Sequence, residues 1–240
     1  MRAKLIGYLF LAASGNNAFM LDALISVPQI LDVEFSQPAP LVSYHYRVAL
    51  PENYEKKKKW PVVLFLHGSG ERGTDLNTVG VHGPLKEIAN GRKIPAIVVT
   101  PQCPPDKWWD APSLVGLMDH VEKTYRVDPK QELLTGLSMG GYGTWALFAA
   151  QPDRFAAIAP ICAGGDVATI PYRDQFPIWA VHGTADGAVP FANGEAMVLM
   201  AKARGADIRF DVIQDGGHDT WTQTYARDDF WTWLLSKRRR

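Results

Sequence analysis

The chain has 240 residues, 47% of them hydrophobic, and its 25 Lys plus Arg balance its 25 Asp plus Glu, so the formal net charge is zero. That suits one domain with a large core rather than a disordered or fibrous chain. The basic runs at 56–59 and 237–240 are too short for the broad basic face of a nucleic-acid binder. Cys103 and Cys162 are too few for a disulfide scaffold but leave one pairing open, and no stretch is long enough to span a bilayer.

Met1-Arg2-Ala3-Lys4 followed by the apolar residues 5–13 has the form of a short signal peptide, with Ala12-Ala13-Ser14 as a small-residue cleavage site. The alternative is an apolar segment that packs on the domain. Both readings stay open, and with them secretion and cytoplasmic residence. Residues 14–40, with Pro28, Pro38 and Pro40, are poorly patterned and read as a lead-in. The expected organisation is therefore a segment over 1–40 and a single catalytic domain over 41–240.

From Val42 the pattern sharpens. Val42, Tyr44, Tyr46 and Val48 alternate with Ser43, His45 and Arg47, as in a half-buried strand. Val62-Val63-Leu64-Phe65-Leu66 is continuously apolar, as in a central strand covered on both faces, and it runs into His67-Gly68-Ser69-Gly70. A short helix is expected around 85–89, and Ala96-Ile97-Val98-Val99-Thr100 is the next buried strand. It ends in a Pro-rich loop leading to Trp108-Trp109. Pro112 opens a helix with Leu114, Leu117, Met118 and Val121 on one face, and Val127-Asp128-Pro129 is expected to end it.

Leu133-Leu134-Thr135 then reads as the end of a strand, and Met139 onward as a helix that buries Trp145, Leu147 and Phe148. Strands over 155–162, 177–183 and 208–213 follow, with a helix over 191–203 and a final amphipathic helix carrying Phe230, Trp231 and Leu234. Strands alternating with helices predict an α/β fold with a mostly parallel sheet and helices on both faces.

Gly136-Leu137-Ser138-Met139-Gly140 matches Gly-x-Ser-x-Gly between that strand and that helix. A strand that turns into a helix around one residue strains that residue, lifts its side chain clear of the sheet and sets it at a helix N-terminus. Ser138 is thus the candidate nucleophile. A serine hydroxyl needs a base, and His218, after the last strand, has a free pKa near neutrality. Asp186, after the strand ending His182-Gly183, would orient that imidazole. The order Ser, Asp, His is that of the α/β-hydrolase arrangement. The amides of Met139 and Ser69 are the candidate oxyanion donors. His67 and His182 also follow strands and read as structural residues tying down their loops, while Asp166 and Asp215 compete less well for the acid. No His-x-x-x-His or Cys-x-x-Cys spacing suggests a metal.

At these residues the chain resembles the esterase branch of the α/β-hydrolases, near the prolyl oligopeptidase catalytic domain, the dienelactone hydrolases and the feruloyl-esterase-like enzymes. The resemblance runs from about Val42 to Leu235. It rests on Gly68-Ser69-Gly70-Glu71-Arg72-Gly73, Pro101-Gln102-Cys103-Pro104, Gly136–Gly141, His182-Gly183-Thr184-Ala185-Asp186 and Gly217-His218-Asp219-Thr220-Trp221. It implies hydrolysis of carboxylic esters through an acyl-enzyme by a Ser-His-Asp triad without a cofactor, on a small-molecule ester and with no nucleic-acid partner. Feruloyl and acetyl esters are the first substrates to consider. One departure is Gly187, where such relatives often carry Pro after the acid. Trp108 and Trp221 are candidate substrate-binding residues, since an indole face can stack on an aromatic acyl group or a sugar. A peptidase or amidase, an acyltransferase and a non-catalytic binding protein on the same scaffold are the competing expectations.

Overall fold

The computed structural model describes residues 28–239. The signal-peptide reading of residues 1–14 falls outside them. Eight strands form one sheet in the order β1-β2-β4-β3-β5-β6-β7-β8. They are β1 (Gln29–Phe35), β2 (Tyr44–Leu50), β3 (Trp60–Leu66), β4 (Ile97–Gln102), β5 (Val127–Leu137), β6 (Ala157–Ile161), β7 (Pro177–Gly183) and β8 (Asp207–Ile213). Strand β2 is antiparallel to both its neighbours, and β4 through β8 are parallel.

The continuous apolar runs are explained by two cores. Val62, Leu64 and Leu66 of β3, with Ile97 and Val99 of β4, face one side. Val63 and Phe65, with Val98, face the other. The first side is covered by α2 (Ala111–Thr124) through Leu114, Leu117 and Met118, by α3 (Met139–Ala150) through Trp145 and Phe148, and by α4 (Phe191–Ala203) through Met197. The second is covered by α1 (Gly83–Ala89) through Leu85, by α5 (Trp221–Tyr225) through Tyr225, and by α6 (Asp228–Ser236) through Phe230, Trp231 and Leu234. A strand whose alternate residues all meet a helix layer has no face for polar residues.

Three local expectations are revised. The lead-in segment contributes β1, which pairs with β2 from Gln29 opposite Leu50 to Phe35 opposite Tyr44. Leu31, Val33 and Phe35 pack on the core, while Asp32 binds Arg47 through paired contacts of 2.5 and 3.0 Å. The alternation was present in the sequence but short, and flanked by prolines. Second, Val127-Asp128-Pro129 does not merely end a helix: it opens β5. The β3–β5 register shifts between Trp60 opposite Val127 and Val62 opposite Glu132, and this irregularity accommodates Pro129, which has no N–H for a ladder. Third, the short helix α5 directly after His218 is additional.

After β3 the chain passes to β4 on one side and then returns to β5 on the other. The carboxyl ends of β3 and β5 therefore flank the crevice where the strand order reverses, the usual place for a ligand in an open α/β sheet.

Candidate active site

Strand β5 ends at Leu137 and α3 begins at Met139, so Ser138 alone makes the turn. Its backbone lies at φ 51°, ψ −120°. A residue with a side chain holds such a conformation only where its surroundings impose it, at a cost on the order of 1–3 kcal/mol. Here the Ser138 N–H donates to the Ile161 carbonyl of β6 at 2.9 Å, and the Tyr142 N–H donates to the Ser138 carbonyl at 3.0 Å. The flanking glycines let the backbones close. A Cβ on Gly136 would stand 2.3 Å from the Gly140 carbonyl oxygen, and a Cβ on Gly140 would stand 1.8 Å from the Leu66 carbonyl oxygen.

The Ser138 hydroxyl lies 2.9 Å from His218 Nε2, and His218 Nδ1 lies 2.7 Å from Asp186 Oδ2. With Nδ1–H donating to the carboxylate, Nε2 is left to accept the serine proton. Asp186 is 8% exposed. Burial alone would raise its pKa. The hydrogen bond from His218 and the N–H groups of Val189 and Ala188, each donating to Oδ1 at 2.9 Å, outweigh it and hold the carboxyl below the usual carboxylate range. The acid is therefore ionised and fixed in orientation.

The neighbouring histidines serve the loops. The Cys103 N–H donates to His67 Nε2 at 3.0 Å, which leaves the proton on Nδ1, where it is donated to the Gly68 carbonyl at 2.6 Å. Burial pushes the His67 pKa down to about 4, so this ring is neutral. Trp109 packs edge-on to it at 4.8 Å between ring centres and donates its indole N–H to the His67 carbonyl. His182 donates from Nε2 to the Val189 carbonyl at 3.0 Å, and the same nitrogen lies 3.3 Å from Asp186 Oδ2. That ring thereby closes the acid loop, and Gly187 has open space around it.

The alternative acids lie elsewhere. Asp166 caps the single turn Val167–Thr169 by accepting from the Ala168 N–H at 2.9 Å. Asp215 sits at φ 55° in the turn before His218, with its N–H donating to the Thr184 hydroxyl.

Ser69 opens a single turn, Ser69–Glu71, just past the end of β3. The loop that carries it lies against the nucleophile: a Cβ on Gly68 would stand 2.9 Å from Leu137 Cδ1 and 3.7 Å from Ser138 Cβ. Met139 is the first residue of α3, where a helix leaves its amide without an intrahelical partner.

The two candidate substrate tryptophans part company. Trp108 is 61% exposed and borders a cavity of about 300 Å³ beside α3. Trp221 instead stands edge-on to His218, at 5.0 Å between ring centres, and near His82 at 5.6 Å. Glu71 spans the other side of His82, 3.8 Å from its Nε2. His82 carries no motif and was missed from the sequence, while Thr220 lies inside the His218 motif but was given no role. Thr220 is buried and lies 2.6 Å from Cys162 Sγ, and its N–H donates to the His218 carbonyl at 2.9 Å.

Cys103 and Cys162 are both free and buried rather than paired. One ligand atom each from Cys162, Asp186 and His218 falls within 4.8 Å of the others. The carboxylate and imidazole already satisfy each other, and burial pushes the Cys162 thiol up to about 11, which opposes a thiolate ligand. Among the described residues, no helix is long and apolar enough to cross a membrane.

The family model "Putative esterase" matches residues 98–231. The chain is 24% identical over 157 residues to "Probable feruloyl esterase C" of Aspergillus terreus, covering 63% of this chain. It spans only 58% of that relative's length. Among solved structures, a thermostable esterase superposes with a TM-score of 0.75 at 30% identity, covering 88% of this chain and 63% of its own. A ferulic acid esterase superposes with a TM-score of 0.67 at 20% identity, covering 87% and 99% of the two chains, and so shares the fold.

Proposed function

The chain belongs to the esterase family, and from that premise we propose that it is a carboxylic ester hydrolase working through Ser138, His218 and Asp186. The observation that carries this reading is the unbroken hydrogen-bonded line from the strained Ser138 to Asp186, at 2.9 and 2.7 Å.

Ser138 Oγ attacks the ester carbonyl carbon while His218 Nε2 takes the hydroxyl proton. The negative charge that develops on the carbonyl oxygen is received by the amides of Met139 and Ser69. Such donors act on the transition state more than on the substrate, and losing one typically costs about 3–4 kcal/mol. Asp186 fixes the tautomer that lets Nε2 accept and stabilises the imidazolium that forms. The intermediate collapses with cleavage of the bond to the alcohol oxygen, which leaves with the proton from His218. Water then attacks the acyl-enzyme as His218 takes one of its protons, and that proton returns to Ser138 when the acid is released.

The substrate reading is small-acyl or feruloyl esters of the kind found on plant cell-wall polymers. The likeness to a protein named feruloyl esterase C supports it.

Hydrolysis of p-nitrophenyl esters from acetate to decanoate, and of the ferulate, by wild type and Ser138→Ala tests the proposal. Activity that disappears in the variant, with covalent labelling of wild type by a fluorophosphonate, is expected. Equal rates in both proteins would remove Ser138 from the role. Faster turnover of a matched amide than of its ester would transfer the site to amide chemistry.

A further inference from the structure

Ser69 and Gly70 form the exposed crest of the turn after β3, and a Cβ on Gly70 would stand in open space. The crest itself is loosely held, by an exposed hydrogen bond of 3.1 Å from Arg72 Nε to the Ser69 carbonyl. The place of the Ser69 amide therefore depends on what holds the chain on either side. Both holds come from Pro101-Gln102-Cys103-Pro104, a motif to which the proton relay gives no role. Strand β4 runs parallel beside β3 and delivers this motif to the same end of the sheet.

Before the crest, the Cys103 N–H donates to the His67 ring at 3.0 Å. Beyond it, the Gly73 N–H donates to the Cys103 carbonyl at 3.0 Å. Gln102 completes the hold. It is 3% exposed, and its Nε2 stands 3.0 Å from the Glu71 carbonyl oxygen, 3.0 Å from the Asp75 carbonyl oxygen and 2.9 Å from Thr78 Oγ1. Carbonyls only accept, so the NH2 must face them; turned over, the amide oxygen would meet two acceptors. Thr78 donates its own hydroxyl proton to the Asp75 carbonyl at 2.8 Å, which leaves its oxygen free to accept from Gln102. The other end of the amide, Oε1, is buried without a partner among the described residues, so the donor end decides the placement. One buried amide thus ties together three points of the loop that follows the crest.

We infer that Gln102 is a positioning residue for the oxyanion donor at Ser69. It acts through the Glu71 carbonyl, two residues along the turn, and holds the Ser69 N–H where the ester carbonyl oxygen becomes negative. Such a donor works through distance and direction. A turn that drifts therefore weakens binding of the transition state while the ester itself stays bound. The inference rests on the esterase reading above and on Ser69 as a donor.

Two variants test it. Gln102→Met keeps the length of the side chain and removes its N–H donors. Thr78→Val keeps the shape of its residue and removes the hydroxyl that braces the same amide. Each is compared with wild type by steady-state kinetics on p-nitrophenyl acetate across pH. Binding of an aryl trifluoromethyl ketone is measured alongside. Ser138 Oγ adds to its carbonyl carbon, the serine proton passes to His218, and the resulting hemiketal carries the oxyanion.

Gln102→Met is expected to lower kcat about ten- to hundredfold with KM within about threefold, and to weaken ketone binding by a similar factor. Thr78→Val is expected to act in the same direction, by several-fold. The pH midpoint of kcat/KM is expected to stay at its wild-type position, because the relay is untouched. Circular dichroism checks the fold, and if Gln102→Met does not fold, the same split between kcat and KM is read from Thr78→Val.

Unchanged kcat in the folded variants would overturn the inference. So would a rise in KM alone, which would place the hold on substrate binding, or a moved pH midpoint, which would place it on His218. Wild type without hydrolysis that depends on Ser138 would sink the esterase reading together with this inference. Full activity in wild type and variants alike would sink this inference only.

Discussion

The imidazole of His218 stands edge-on to the indole of Trp221, with ring centres 5.0 Å apart and planes at 88°. Trp221 in turn leans on His82, which lies 3.8 Å from Glu71 in the loop carrying Ser69. The loops that carry His218 and Ser69 are thereby packed together through Trp221 and His82. Aromatic pairs of this kind are worth about 0.5–1.5 kcal/mol. Trp221→Leu is expected to lower kcat roughly two- to tenfold with less effect on KM, and Trp221→Phe to recover most of the loss. Steady-state kinetics of the two variants decide it. A rise in KM alone would place Trp221 on the substrate instead.

Asp186 is the most constrained member of the relay, since its Oδ1 takes two backbone N–H groups and its Oδ2 takes His218. An asparagine cannot accept at every one of these contacts: its NH2 must face either the two amides or the Nδ1 proton. Asp186→Asn is expected to reduce kcat by roughly 10³–10⁴-fold while the protein stays folded. A loss under tenfold, with the circular dichroism unchanged, would point to another acid.

His67 makes stability depend on pH. Its pKa in the fold is about 4 against 6.5 when unfolded, because burial disfavours the cation. The unfolded chain therefore binds the proton first as pH falls. Stability from this residue is complete above pH 6.5 and is lost progressively between 6.5 and 4, by about 3 kcal/mol in all. Urea unfolding across that range is expected to show the decline in wild type and a shallower one in His67→Gln. Parallel pH profiles would assign the decline to other groups.

Both thiols are fully buried, and burial pushes each up to about 11. Native protein is expected to be inert to Ellman's reagent, with esterase activity unaffected by it, and both thiols are expected to react in guanidinium chloride. Absence of reaction in denaturant would mean that Cys103 and Cys162 form a disulfide.

Much of the site was legible because the motif residues do local work. Gly136 and Gly140 are required where a turn brings backbones to within the reach of a Cβ, and that requirement is visible wherever Gly-x-Ser-x-Gly follows an apolar run and opens a helix. The continuous apolar strands likewise announced a sheet covered on both faces. Strand β1 was harder, since an edge strand buries only one side of a short alternation. Helix α5 was too short to show a period.

By itself the sequence determined the order of the strands and helices other than β1 and α5, the strained serine, and the presence of an aspartate and a histidine after later strands. Each follows from residues close together in the chain, where backbone sterics and hydrophobic period decide. Only the tertiary structure decided which aspartate meets His218, because Asp166, Asp186 and Asp215 all follow strands and differ in where the parallel sheet carries them. It also separated two tryptophans of similar setting. Trp108 is held outward by a perpendicular Tyr142, whereas Trp221 is turned against His218 by the helix that starts at it. Contacts between residues far apart in the chain depend on strand order and crossover, which no local pattern encodes.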